Sequence, residues 1–334
     1  MEDDQDREPI SVHQPDPADA DALLLKEIAD ELLSDQADDD GLKAAAAGLY
    51  SLCSSITGMD GADDSEGTRL PGGEAIAPRD AARCVLDGRR TSAFLRGLHA
   101  AILEARRRFP GVPTEILYAG CGPFAPLAVP LTTRFGPGEI RFTLLDVHGR
   151  SLDAARRIFQ ALGKSAFVRD YVRCDAASYR HDAPHPIHVV VVEAMLAALE
   201  REPQVAITMN LGPQLCPGGI FVPERITVDC CLCDLTEEFP ALPTDADSAA
   251  PLSAGVGGGG RVDLGRVLEL TAGGCRDLPA SGDGDGHGGR HLAPKLLEVP
   301  EGLDGELGVM LLTGITVFGS VALGEGESGL TCPR

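Results

Sequence analysis

Residues 116–122 read Ile-Leu-Tyr-Ala-Gly-Cys-Gly, and the apolar run Phe142–Leu145 that follows closes on Asp146. The order is that of a strand, a glycine turn, a helix and a second strand ending in an acid, the first half of a nucleoside-binding α/β unit. Each part has a chemical use. Gly120 and Gly122, either side of Cys121, let backbone amides approach a ligand because no Cβ stands in the way. A carboxylate at the end of the second strand, Asp146, can accept hydrogen bonds from two ribose hydroxyls. These residues predict a nucleoside ligand.

To bring those groups together the chain needs a sheet, and the pattern from 114 onward supplies one. Strand-like runs at 114–119, 140–146, 166–169, 187–193 and 218–223 alternate with helical patterns from about 124, at 151–162 and at 195–211. Such alternation predicts an α/β fold with a mostly parallel, doubly wound, Rossmann-like sheet over 110–223 and helices on both faces. After Pro223 the helical patterns stop: 226–232, 262–270 and 309–321 read as strands, with Gly-rich interruptions at 254–260 and 281–289. An antiparallel β subdomain is therefore expected over 224–334. Upstream, 1–20 reads as a disordered acidic tail and 21–109 as a helical region. That region has helical patterns at 21–34 and 42–56, a Gly- and Asp-rich linker from Thr57 to Gly73, and one long helix from Pro78 to Phe109.

Composition narrows the partners. The net charge of -22 is concentrated at the N-terminus, where the first forty residues hold fifteen Asp and Glu against Arg7 and Lys26, a balance of -13 that leaves -9 for the rest. No basic cluster tracks a phosphate backbone. The largest, Arg106-Arg107-Arg108, ends a helical pattern, where cations are favoured in any case, so nucleic acid is excluded as a partner. An acidic protein suits a cationic or neutral substrate, whether a small molecule or a peptide. The chain reads as having no signal peptide and no membrane span, which predicts a cytoplasmic protein whose ten cysteines are thiols. The cluster Cys230, Cys231 and Cys233 lies in an apolar run with no second pair nearby, and reads as buried strand thiols rather than a metal site.

Gly120-Cys121-Gly122-Pro123-Phe124-Ala125 also fits the dinucleotide fingerprint G-x-G-x-x-A. Pro123, Pro126 and Pro130 oppose that reading, because they crowd the helix whose N-terminus would carry a pyrophosphate. A nucleoside without phosphates fits better.

Further elements stand in order along the chain: Asp87-Gly-Arg-Arg90-Thr91 before the turn, Asp175 in Arg173-Cys-Asp-Ala, Val189–Glu193 followed by Ala194-Met195, then Glu202, Leu215-Cys-Pro-Gly-Gly219 and Phe221-Val-Pro-Glu-Arg225. From Asp87 to Arg225 this set resembles the cofactor domain of class I S-adenosylmethionine-dependent methyltransferases, specifically the protein arginine N-methyltransferase family. The resemblance covers a D-x-x-R-T segment, a glutamate ending the fourth strand with a Met two residues on, a second glutamate nine after the first, an L-x-P-x-G turn and a strand closing in F-P-(D/E)-R. It implies S-adenosyl-L-methionine as cofactor, with Arg90 on the methionine carboxylate, Asp146 on the ribose and Asp175 on the adenine amino group. It further implies Glu193 and Glu202 as the pair that holds the acceptor, and hints at a head-to-tail homodimer.

Paired glutamates make chemical sense for a guanidinium, which is protonated at neutral pH and a poor nucleophile. Two carboxylates can orient one nitrogen toward a methyl donor and balance the charge that develops as the methyl arrives. The sequence also departs from the family. Tyr118 stands where an acid ends the first strand, Phe124 replaces the third glycine, and with no Trp in the chain the T-H-W loop is missing; His287 and His291 sit in other contexts. The β-rich part is short by comparison. A free amino acid, an amine or a hydroxyl of a small metabolite stays open as the acceptor. So do small-molecule O- or C-methylation, a NAD-dependent oxidoreductase and a catalytically silent scaffold that binds a partner through the β subdomain.

Overall fold

The computed structural model describes residues 17–59, 66–182, 184–201, 203–239, 260–274, 280–281, 291–292, 294–303 and 305–334. Two helices open the chain, α1 (Pro17–Leu33) and α2 (Asp39–Thr57). Helix α1 starts inside the stretch read as a disordered tail. Helix α2 is set by chain chemistry at both ends: the Asp38 side chain accepts from the Gly41 N–H, and Gly58 closes the helix at φ 69°. Of the Gly/Asp-rich linker, residues 68–70 and 73–75 form the small hairpin β1 (Thr68–Leu70) and β2 (Gly73–Ala75).

The helix expected over Pro78–Phe109 is two helices, α3 (Pro78–Arg83) and α4 (Gly88–Arg108), separated by a 3-10 turn at Cys84–Leu86. Asp87 causes the break. Its backbone leaves the helical region and its side chain accepts from the Arg90 N–H, making it the N-cap of α4. Arg90 is thereby fixed in the first turn of a long helix.

Strands β3 (Thr114–Ala119), β4 (Ile140–Asp146), β5 (Val168–Arg173), β6 (Ile187–Val192) and β7 (Leu215–Val222) form one sheet in the order β5-β4-β3-β6-β7, every pair parallel. Helices α5 (Gly149–Ala161) and α6 (Gln204–Leu211) belong to this layer. Of the three inner strands, β3 and β6 are buried along their whole length, as strands in a sheet covered on two faces must be. On one face Ile116, Tyr118, Phe142, Leu144, Val189 and Val191 join the large core with α1, α2, α4 and α5. On the other, Leu117, Ala119, Leu145, Val190 and Val192 pack with Ile207 and Leu211 of α6. The chain runs outward from β3 through β4 to β5, then returns to the other side of β3 for β6 and β7. That reversal places a crevice at the carboxyl ends of β3, β4 and β6.

Two expected helices are absent or shortened. After the glycine turn the chain makes turns and a 3-10 helix at Pro130–Thr133 instead of an α-helix, because Pro123, Pro126 and Pro130 remove three amide donors; Ala125 stands at φ 42°. The helix expected over 195–211 begins only at Gln204, after a loop whose 3-10 turn at Ala197–Leu199 carries Ala198 and Leu199 at φ 57°.

The C-terminal part builds a four-stranded antiparallel sheet, β13-β12-β8-β9, from β8 (Arg225–Cys233), β9 (Val262–Leu270), β12 (Gly308–Phe318) and β13 (Val321–Leu323). The short helix α7 (Leu235–Glu238) and the pair β10 (Ala280–Ser281) and β11 (His291–Leu292) complete the elements. The sheet packs on α4 at Gly97, where an added Cβ would lie 2.3 Å from Val317 Cγ1. Cys230, Cys231 and Cys233 are buried thiols of β8, and no group of metal-ligating His, Cys, Asp or Glu exists among the described residues. No helix there is long and apolar enough to cross a membrane.

Candidate active site

The sheet's carboxyl edge opens into a cleft with about 970 Å³ of empty space, part of it open to solvent, lined by Arg90, Tyr118, Gly120, Cys121, Gly122, Asp146, Asp175 and Glu193 among others. Every predicted site residue that is described meets there. Glu202 lies outside the described residues, between Arg201 and Pro203.

The glycine turn has a defined set of internal partners. Gly120 and Gly122 adopt φ 69° and 62°, conformations that L side chains resist, and so fold the chain back across the end of β4. Their amides are used inside the protein: Gly120 N–H and Cys121 N–H donate to the Leu145 carbonyl at 2.9 and 3.1 Å, and Gly122 N–H donates to Asp146 Oδ2 at 3.0 Å. Asp146 Oδ1 accepts from the His148 N–H at 2.8 Å. The turn therefore aims the Asp146 carboxylate. Each carboxylate oxygen keeps a lone pair for a hydroxyl. Asp175 is braced similarly, accepting from the Ala177 N–H at 2.8 Å.

Arg90 and Glu193, assigned by resemblance to separate partners, form an ion pair with each other, their side chains 14% and 11% exposed. Burial pushes the Glu193 carboxyl up, against the pull of the Arg90 guanidinium; Arg90 is driven further into its charged range by Glu193. Nothing local in the sequence announces this pair, which depends on α4 crossing the end of β6. Tyr118 is buried beside them, its phenol held well above its usual range by burial and by Glu193. The Cys121 thiol is likewise pushed up by burial and by Asp146, so it is an inert wall of the cleft.

Other residues of the site carried no signal. The β1–β2 hairpin lies over the opening: Thr68 Oγ1 meets His148 Nε2 at 3.1 Å, and the Glu74 N–H donates to the Arg201 carbonyl at 2.8 Å. Ser151, in the first turn of α5, lines the cleft with a buried hydroxyl oxygen that has no partner in the protein. Beside Asp146, it is a polar atom that a bound nucleoside would satisfy. Arg90 is the sole Lys or Arg among the described lining residues, and it is offset by Glu193.

No protein-family model matches the chain, and no curated protein sequence does. Among solved structures it is similar to the Trypanosoma brucei PRMT1 enzyme-prozyme heterotetrameric complex with AdoHcy, at 10% sequence identity and a TM-score of 0.46, over 72% of this chain and 74% of that one.

Proposed function

We propose that the protein is an S-adenosylmethionine-dependent methyltransferase that delivers the methyl group to a nitrogen, with a guanidinium as the acceptor class. One observation carries the cofactor choice. The glycine turn leads into no helix N-terminus, and the cleft keeps Asp146 and Asp175 with one cation that is already paired. A pyrophosphate would find no helix N-terminus after the glycine turn and only one basic side chain to balance its charge, whereas a cationic nucleoside finds carboxylates. That separates this reading from a NAD-dependent oxidoreductase.

In this reading Asp146, aimed by Gly122 and His148, takes the ribose hydroxyls; Ser151 and Asp175 face the base; Arg90 takes the amino-acid carboxylate. When bound, the cofactor supplies an electrophilic methyl on a sulfonium. The protein's part is positioning and charge. Arg90, in holding that carboxylate, would loosen its grip on Glu193, and Glu193 would then be placed to orient a cationic acceptor nitrogen. Glu202 is the second carboxylate expected for that task.

Because burial raises the Glu193 pKa, activity that needs its carboxylate should fall on the acid side at a higher pH than for an exposed glutamate. Methyl-transfer assays with labelled donor, offering arginine, Arg-rich peptides and small amines, test the acceptor. Label on the arginine compounds, lost in Glu193→Gln and Glu202→Gln, is the expected result. Transfer only to hydroxyl or carbon acceptors, untouched by either substitution, overturns the guanidinium reading.

A further inference from the structure

We infer that Thr313 is a positioning residue for the acceptor loop, the device by which the C-terminal sheet acts on the reaction. No residue of that sheet lines the cleft. Its link to the loop after Glu193 includes a buried hydrogen bond: the Ala198 N–H donates to Thr313 Oγ1 at 2.8 Å, and Thr313, on β12 opposite Val228 of β8, is 1% exposed.

What that bond holds is unusual. Ala198 and Leu199 both sit at φ 57°, in the left-handed region that non-glycine residues avoid, within the loop between Glu193 and α6. Two consecutive residues persist there only where the surroundings over-determine them. Three contacts do so. Gln204, fully buried, accepts from the Ala194 N–H through Oε1 at 3.0 Å; Thr313 takes the middle; the Arg201 carbonyl accepts from Glu74 of the hairpin at 2.8 Å. The loop is thus anchored directly after Glu193, at its left-handed turn and directly before Glu202. Of the three anchors, Thr313 alone comes from outside the cofactor-binding layer and its covering hairpin. Removing its oxygen leaves the Ala198 amide without that acceptor and frees the turn to relax toward ordinary backbone, carrying Glu193 off its line.

The kinetic part of this inference rests on the methyltransferase reading; the structural part does not. Thr313→Val keeps the shape and removes the acceptor, and Thr313→Ser keeps the acceptor. In Thr313→Val, amide exchange at Ala198 should quicken by about tenfold. Its kcat should fall by about 10–100-fold, since small misplacements of a catalytic group cost that much, while S-adenosylhomocysteine affinity stays within about twofold. Thr313→Ser should restore both amide protection and kcat. Unchanged exchange and kcat in Thr313→Val, or a Thr313→Ser variant as impaired as Thr313→Val, overturns the inference. Should Thr313→Val not fold, the wild-type exchange decides, because an unprotected Ala198 amide overturns the clamp by itself. A wild-type protein that binds no S-adenosylhomocysteine defeats the methyltransferase reading, while the exchange result still judges the clamp.

Discussion

The two sheets of this molecule differ in what their strands deliver. In the parallel sheet, the carboxyl ends of β3, β4 and β6 present the glycine turn, Asp146 and Glu193 to one cleft, while the strands themselves are buried on both faces. The antiparallel sheet alternates buried and accessible positions along the first half of β8 and much of β12, spends its charges on pairs such as Arg266–Asp229 and Arg266–Glu269, and contributes no lining residue to the cleft. The difference follows from geometry. Parallel strands align all their carboxyl ends on one edge, where short polar side chains can converge; antiparallel strands send alternate ends to opposite edges and disperse them. The first sheet is built to assemble a site and the second to brace one.

Substitutions can break or sharpen that contrast. The largest effect is expected at the buried pair. Arg90→Ala or Glu193→Ala strands one buried charge and should cost about 3–5 kcal/mol in denaturant unfolding, with much of the loss recovered when both are replaced by apolar residues. Additive losses in the double variant would contradict the pairing. Gly122→Ala comes next: a Cβ at φ 62° should cost about 1–2 kcal/mol and weaken nucleoside binding by disturbing the turn that aims Asp146.

A smaller, pH-linked effect is expected at His188 on β6. Its Nδ1 accepts from the Glu115 N–H at 3.0 Å, and burial lowers its pKa below 6.5. A folded value below the unfolded one means that the stabilisation is present above pH 6.5 and is lost as pH falls through the lowered folded value. Thermal unfolding between pH 5 and 8 should show that slope in the wild type and a flatter one in His188→Asn; equal slopes would sink the assignment. Smallest of all, Arg266→Ala in the accessible pairs of β8 and β9 should cost about 0.5 kcal/mol or less, and a loss as large as that at Arg90 would erase the contrast.

How much of this the sequence disclosed depends on locality. Strands 114–119 and 140–146 were legible because mostly apolar runs ending at Ala119-Gly120 and at Asp146 leave one interpretation. The helices misled wherever a single residue overrode a periodic pattern. Asp87 split 78–109 by capping α4, and the loop through Ala198 delayed α6 to Gln204. Pro123, Pro126 and Pro130 abolished the helix after the turn, a conflict visible in the sequence and stronger than the pattern it opposed. Asp146, Arg90 and Glu193 could be picked from motif order, yet their mutual geometry could not, since the Arg90–Glu193 pair and the Thr313–Ala198 bond join distant segments through tertiary packing. The β1–β2 hairpin, Gln204 and Ser151 gave no sequence signal, since only tertiary packing brings the hairpin and Ser151 to the cleft and Gln204 against the loop beside it.

The most direct test of the central claim is calorimetric binding of S-adenosylhomocysteine to the purified chain, beside NAD and beside an Asp146→Ala variant whose unfolding temperature is checked in parallel. Micromolar binding of the homocysteine compound by the wild type, no binding of NAD, and loss of binding in a folded Asp146→Ala protein are the results predicted. Binding of NAD in preference, or S-adenosylhomocysteine binding that survives Asp146→Ala unchanged, would contradict the account of the cleft.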